Sequence, residues 1–319
     1  GCKLPVVHVE AGLRTRDILS PFPEELNRQL ISRMAAFHLA PTPANQANLI
    51  REGVDPQRVF VTGNTGIDAL HWAAGLHAAW PDDRLAALDD PAVPVLVVTA
   101  HRRENLGEPI RRIATAVGQI ARQRPDVVVV WPVHPNPVVR KDVYAILGAV
   151  PNVILTHPID YIPFARLLER ATLVISDSGG VQEEAPSVGT PVLVAREESE
   201  RPEGVEAGAL VLVGSDTERI RDIALTLLAD PAARAQMTSV VNPFGDGHAA
   251  ERVCTALEHL VFDTPAPERY GAAFSRSRVL EASGYDPREI AITSRKIAAA
   301  HPDLPQGSGA SRKLAALRR

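Results

Sequence analysis

The chain has 319 residues, 45% of them hydrophobic and 23% charged, which is enough to bury a large core and to form two domains. A net charge of -4 and a pI near 6.2 supply no basic field for nucleic acid, so an anionic ligand must be small and held by local positive groups. Two cysteines, Cys2 and Cys254, lie far apart without Cys-x-x-Cys or Cys/His spacing, and no apolar run reaches the length of a membrane span. These features argue against a disulfide framework and a structural zinc site, and fit a soluble protein of the reducing cytoplasm.

Short β-branched runs alternate with helical patterns through the first 260 residues: 6–9, 36–39, 59–62, 93–99, 127–131, 153–156, 173–176, 191–194 and 210–213. That rhythm predicts α/β architecture, and the continuous apolar runs Val93 to Val98 and Val127 to Trp131 suit parallel strands covered on both faces. The chain enters a strand-like run almost at once, beginning with Gly1, so the start of a first domain is expected to be missing. The Pro- and Asp-rich stretch from Pro81 to Pro94 is the expected boundary. It gives a partial first domain over 1–85, a second domain over 86–248, a last helix over 249–262 and a tail over 263–319. The tail carries 10 Lys and Arg against 6 Asp and Glu and is broken by Pro and Gly. It reads as a partly disordered appendage with two short helical patterns, near 287–299 and 310–318.

The run Ser176-Asp-Ser-Gly-Gly-Val-Gln-Glu-Glu-Ala-Pro-Ser187 follows one strand and opens a helix. Ser178, Gly179 and Gly180 can bring backbone N–H groups to an anion with no side chain in the way, and a phosphate is the natural guest. Glu184, a turn on, places a carboxylate where ribose hydroxyls could donate to it. An ordinary strand-to-helix turn explains the glycines equally well. Other strands end in His101, flanked by Arg102 and Arg103, and in His134, two histidines expected near the edge that carries the Ser-Gly-Gly turn. A capping or core role is the alternative for each. Arg201 can fork onto a phosphate or a carboxylate. Near the start of the chain, Glu10 closes a strand as a possible proton-transfer group. Glu24 and Arg28 stand at i and i+4 on a helix, where a surface ion pair is the competing explanation.

Together the motifs His8-Val-Glu-Ala-Gly-Leu-Arg-Thr15, Pro23-Glu-Glu-Leu-Asn-Arg28, Val61-Thr-Gly-Asn-Thr65, His101-Arg-Arg-Glu-Asn105, Asp177-Ser-Gly-Gly-Val-Gln-Glu-Glu-Ala-Pro186, Glu200-Arg-Pro-Glu203 and Asn242-Pro-Phe-Gly-Asp-Gly247 resemble, in order, those of the non-hydrolysing UDP-N-acetylglucosamine 2-epimerase family. The resemblance implies two Rossmann-like domains of glycosyltransferase-B type, the first of them incomplete. It also implies interconversion of UDP-GlcNAc and UDP-ManNAc with no cofactor and no metal: UDP leaves by elimination to give 2-acetamidoglucal and then returns. By the same resemblance Glu10 and Glu24 are acid/base residues with Arg28 beside them, and His101 assists the departing UDP. Ser178, Gly179 and Gly180 hold phosphate, Glu184 the ribose, Phe164 lies near the uracil, and His134 and Arg201 contact ligand. A homodimer, and UDP-GlcNAc as an allosteric effector of the complete protein, are implied as partners.

The family's Gly-Thr-Arg-Pro-Glu loop has no counterpart in this sequence, and the tail matches nothing in the family. The alternatives are therefore an inactive UDP-sugar-binding fragment, a hydrolysing 2-epimerase that releases ManNAc, and a glycosyltransferase of the same architecture.

Overall fold

The computed structural model describes residues 4–19, 22–197, 201–239 and 241–271. They fall into two compact units, one from residues 1–64 with those from 249 onward, the other from 65–248. All nine expected strands are present, two with the expected ends and the others with ends shifted by one or two residues.

In the first unit β1 (Val7–Val9), β2 (Phe37–Ala40) and β3 (Val59–Val61) form a parallel sheet in that order. Two helices connect them: α1 (Glu24–Met34) follows β1, and α2 (Pro43–Arg51) follows β2. Thr42 caps α2 by accepting from Asn45 N–H, and Pro43 stands where its missing N–H costs nothing. Past β1 the chain stays pinned through Ala11 N–H to Leu39 O at 3.0 Å. Gly12 follows with φ +98°, so close to α2 that a Cβ would lie 2.2 Å from Asn45 O. No other residue fits there. His8 and His38 share a register position on neighbouring strands. β1 forms one edge of the sheet, and Leu4, Val6 and Val9, with Leu30, Ile31 and Met34 of α1, stand exposed.

The second unit begins with α3 (Thr65–Gly75) and a 3-10 segment, Asp83–Asp89. Strands and helices then alternate as β4 (Val95–Thr99), α4 (Glu108–Gln123), β5 (Val128–Pro132), α5 (Pro137–Leu147), β6 (Val153–Thr156), α6 (Tyr161–Arg170), β7 (Leu173–Ser176), α7 (Gly179–Glu184), β8 (Val192–Val194), α8 (Pro202–Ala207) and β9 (Leu210–Leu212). The unit ends with α9 (Thr217–Ala229) and α10 (Pro231–Thr238). The sheet is wholly parallel in the order β6-β5-β4-β7-β8-β9. Counted within the unit this is 3-2-1-4-5-6, the doubly wound order whose reversal point, between β4 and β7, opens a crevice at the strands' carboxyl ends. α4 shows why one face is sealed: Ile110, Ile113, Ala114, Val117, Ile120 and Ala121 recur at helical spacing and are buried, in one core with Leu96, Val129 and Trp131.

The expected boundary at residue 85 is displaced. Leu70, Ala73 and Ala74 of α3, with Leu85 and Leu88 of the 3-10 segment, share a core with Val95, Val97 and Val174, so residues 65–85 group with the second unit. Prolines and aspartates rule out a strand there without preventing two leucines from anchoring the segment. Beyond it, α11 (Ala249–Phe262) groups with the first unit, where Arg252 Nη1 donates to Thr62 O at 3.3 Å. The opening of the tail is packed: Tyr270 is buried, its N–H donates to Val61 O at 3.0 Å, and Arg269 donates to Gln46 Oε1. The two helical patterns expected after residue 286 lie outside the described residues.

Candidate functional site

In the second unit the ends of three adjacent strands assemble the site. His101 lies two residues beyond β4, His134 two beyond β5 and Ser178 two beyond β7. The structure thus brings together the expected His101, His134 and Ser178–Gly180 turn, at the point where the strand order reverses. The two imidazoles stack face to face, with centroids 5.0 Å apart and planes 7° from parallel. Asn136 N–H donates to His134 Nδ1 at 3.1 Å, so the neutral ring carries its proton on Nε2. Burial lowers the pKa of His101, and His134 and Arg102 lower it further against the opposing pull of Asp177.

Asp177, fully buried between β7 and the Ser-Gly-Gly turn, is the residue that the motif contained and that sequence reasoning left without a role. Its Oδ2 accepts from His101 N–H at 2.9 Å, Arg102 N–H at 2.8 Å and Asn105 Nδ2 at 2.9 Å. Asn105 also donates to Ala195 O at 3.0 Å, and the neighbouring Arg196 Nε lies 2.8 Å from Glu104 Oε1. The turns after β4, β7 and β8 are thereby tied together. A carboxylate just past the apolar run Leu173-Val-Ile175 was the signal available in the sequence.

Ser176 Oγ meets Thr99 Oγ1 at 2.7 Å and accepts from Ser178 N–H at 3.0 Å, which fixes the start of the turn. Gly179 is buried and Gly180 exposed. Arg201, side chain 12% exposed, lies over Gly179 and donates from Nε to Glu183 Oε1 at 2.5 Å, so the structure places a guanidinium at this turn. Asn242 Nδ2 donates to Glu183 O at 2.8 Å, which joins the Asn-Pro-Phe-Gly loop to the same turn. Glu184 is half-buried, and burial raises its pKa. Tyr161 OH, another residue without a role in the sequence reading, donates to Glu184 Oε1 at 3.2 Å. Burial and that carboxylate push the phenol up to about 12. Phe164, one turn along α6 from Tyr161, is half-buried against the core.

In the first unit Glu10 is exposed and held at φ +58°, a left-handed conformation uncommon for a side chain of its kind. Glu24 is also exposed. Arg28 does not pair with Glu24, as the i to i+4 spacing suggested. It clasps the fully buried Glu25, three residues away, from Nε at 3.0 Å and Nη2 at 2.8 Å. Glu25 also accepts from Thr15 N–H at 3.3 Å and Gln29 Nε2 at 3.0 Å, and this inward-facing carboxylate draws the arginine in. Arg14, 3% exposed, spans Glu52 with Nε at 2.7 Å and Nη2 at 2.9 Å and reaches Ser32 Oγ at 2.7 Å. The Glu-Ala-Gly-Leu-Arg-Thr loop is thus fastened to α1 and to the end of α2.

Among the described residues there is no group of three or more His, Cys, Asp or Glu arranged to hold a metal ion, and no helix long and apolar enough to cross a membrane. Residues 2–258 match the UDP-N-acetylglucosamine 2-epimerase family. The chain is 49% identical over 263 residues to the UDP-N-acetylglucosamine 2-epimerase of Yersinia pestis, covering 81% of this chain and 70% of that protein. It is 46% identical over 264 residues to the Escherichia coli K12 enzyme of the same name, with coverage of 81% and 70%. Among solved structures it is similar to the Neisseria meningitidis UDP-GlcNAc 2-epimerase bound to UDP-GlcNAc, with TM-score 0.72, 41% identity, and coverage of 80% of this chain and 70% of that one. The S. aureus MnaA-UDP co-structure gives TM-score 0.77 and 38% identity, with coverage of 84% and 73%. Its two Rossmann-like units are of the glycosyltransferase-B type, and the chain belongs to the UDP-N-acetylglucosamine 2-epimerase family.

Proposed function

We propose that this protein interconverts UDP-GlcNAc and UDP-ManNAc by the non-hydrolysing route. A base removes the proton from C2, the C1–O bond breaks and UDP departs, leaving 2-acetamidoglucal. UDP then adds back at C1 while C2 is protonated on its other face. The observation that carries this reading is the convergence of His101, Ser178–Gly180 and Arg201 on one strand-end crevice, the arrangement a departing diphosphate needs. Backbone N–H groups of Ser178, Gly179 and Gly180 and the Arg201 guanidinium take the phosphates, Glu184 takes the ribose hydroxyls, and Phe164 flanks the uracil. His134 completes the wall beside His101. In the first unit Glu10 and Glu24 serve as acid and base at C2, and Arg28, locked by Glu25, sets the charge near them.

The same reading takes the protein to be cytoplasmic and homodimeric, with UDP-GlcNAc as a second, regulatory ligand of the complete protein. Two-dimensional NMR of UDP-GlcNAc with the chain in deuterated water tests the chemistry. Deuterium at C2 together with UDP-ManNAc is the expected result, and accumulation of free ManNAc would reject the non-hydrolysing route. The exposure of both Glu10 and Glu24 favours one second reading, a chain that binds UDP and does not turn it over. UDP binding in a calorimeter without C2 exchange is its signature.

A further inference from the structure

Asp177 has two oxygens in very different states. Oδ2 receives three donors, whereas Oδ1 is buried with no hydrogen-bond partner among the described residues. An unmade bond on a buried acceptor is costly, and the group that faces it is His101 Nδ1, at 3.7 Å, beyond hydrogen-bond reach. We propose that Asp177 is the positioning residue for His101: on arrival of a nucleoside diphosphate, His101 takes a proton from solvent, and its Nδ1–H donates to the waiting Oδ1 while Nε2–H turns to a phosphate oxygen. In this step one N–H bond forms on the imidazole as an O–H bond of a solvent or buffer acid breaks, the conjugate base returns to bulk water, and nothing is oxidised or reduced. The inference rests on the proposed placement of the diphosphate at the Ser178–Gly180 turn.

The groups facing His101 set the direction. Asp177 stands beyond β7, His134 beyond β5 and Arg102 within the same turn; burial, with His134 and Arg102 and against the opposing pull of Asp177, lowers the pKa of the free imidazole and so favours its neutral form. A diphosphate reverses the balance by adding negative charge opposite Nε2, and Asp177 then lets the imidazolium form without leaving Nδ1–H unpaired. Because the backbone of residues 101 and 102 is bonded to Oδ2, the carboxylate is already in place before ligand arrives.

The test is calorimetry of UDP binding to the full chain near pH 7.5 in buffers of different ionisation enthalpy. Uptake of about half a proton per UDP is expected, falling below about a tenth in Asp177→Asn and in His101→Gln. Unchanged uptake in Asp177→Asn overturns the inference. Should Asp177→Asn fail to fold, imidazole NMR of the unaltered chain decides: a hydrogen-bonded Nδ1–H signal assigned to His101 appears on UDP addition, and its failure to appear overturns the proposal. UDP binding without proton uptake sinks this inference alone, whereas no UDP binding sinks it together with the functional reading beneath it.

Discussion

The guanidinium of Arg201 rests on the backbone of Gly179: a Cβ built on that glycine would come within 2.6 Å of Nη1 and 2.7 Å of Cζ. Glu183, four residues after Gly179, holds the same arginine at 2.5 Å. The turn thus carries a cation that can sit there only because residue 179 has no side chain.

Gly179→Ala should therefore separate binding from stability. The clash falls on the far end of a side chain, so the unfolding free energy should change by no more than about 1 kcal/mol. UDP affinity, read by calorimetry, should fall at least about tenfold as the guanidinium is displaced, a loss of roughly 1.4 kcal/mol.

Adjacent glutamates on α1 should behave oppositely. Glu25→Ala strips four donors of a fully buried carboxylate, and about 2–4 kcal/mol of stability should go with it in urea denaturation. Glu24→Gln, at an exposed position, should stay within about 0.5 kcal/mol of the parent while abolishing C2 exchange.

Glu10 offers a similar separation. Glu10→Gln should abolish C2 exchange and leave UDP affinity within a few-fold. Glu10→Gly should relieve the backbone at φ +58° and raise stability by roughly 0.5–1 kcal/mol, while being equally inactive. Persistence of exchange in either variant removes Glu10 from the chemistry.

His38 should give the first unit an acid-sensitive stability. Burial, with His8, Arg58 and Arg14 nearby, lowers its pKa from 6.5 to about 4, and neither ring nitrogen has a partner among the described residues. Unfolding therefore takes up a proton between these values, so the stabilisation is complete above about pH 6.5 and is lost as pH falls toward 4. The full loss is roughly 3–3.5 kcal/mol, and His38→Leu should flatten that slope in denaturant melts at about pH 4.5 and pH 7.5.

Glu184 should make nucleotide binding pH-dependent. Burial raises its pKa, and only the carboxylate accepts two hydroxyls, so UDP affinity should weaken as pH falls toward that raised value. Glu184→Ala should weaken binding several-fold and remove this dependence. An unaltered dissociation constant contradicts the ribose assignment.

Strand positions and the alternation of strand and helix were legible because parallel strands buried on both faces are written as continuous apolar runs, as in Val95–Thr99 and Leu173–Ser176. The pairing of His101 with His134 was foreseeable because each closes such a run. Two things were not legible. Arg28 chooses Glu25 over Glu24 because one carboxylate points inward, and helical spacing alone cannot say which of two adjacent acids does so. The boundary failed for a related reason: a Pro- and Asp-rich stretch shows where strands stop, not which core its few leucines join.

Three donors from residues 101, 102 and 105 converge on a single oxygen of Asp177, and Asn105 passes the link on to Ala195. The histidine-bearing loop therefore has no hinge of its own. To swing outward it would have to strip a buried anion bare, and the neighbouring turn would be dragged along. Recognition on this face starts from a preset mould, and whatever flexing the catalytic cycle demands must come from elsewhere in the chain.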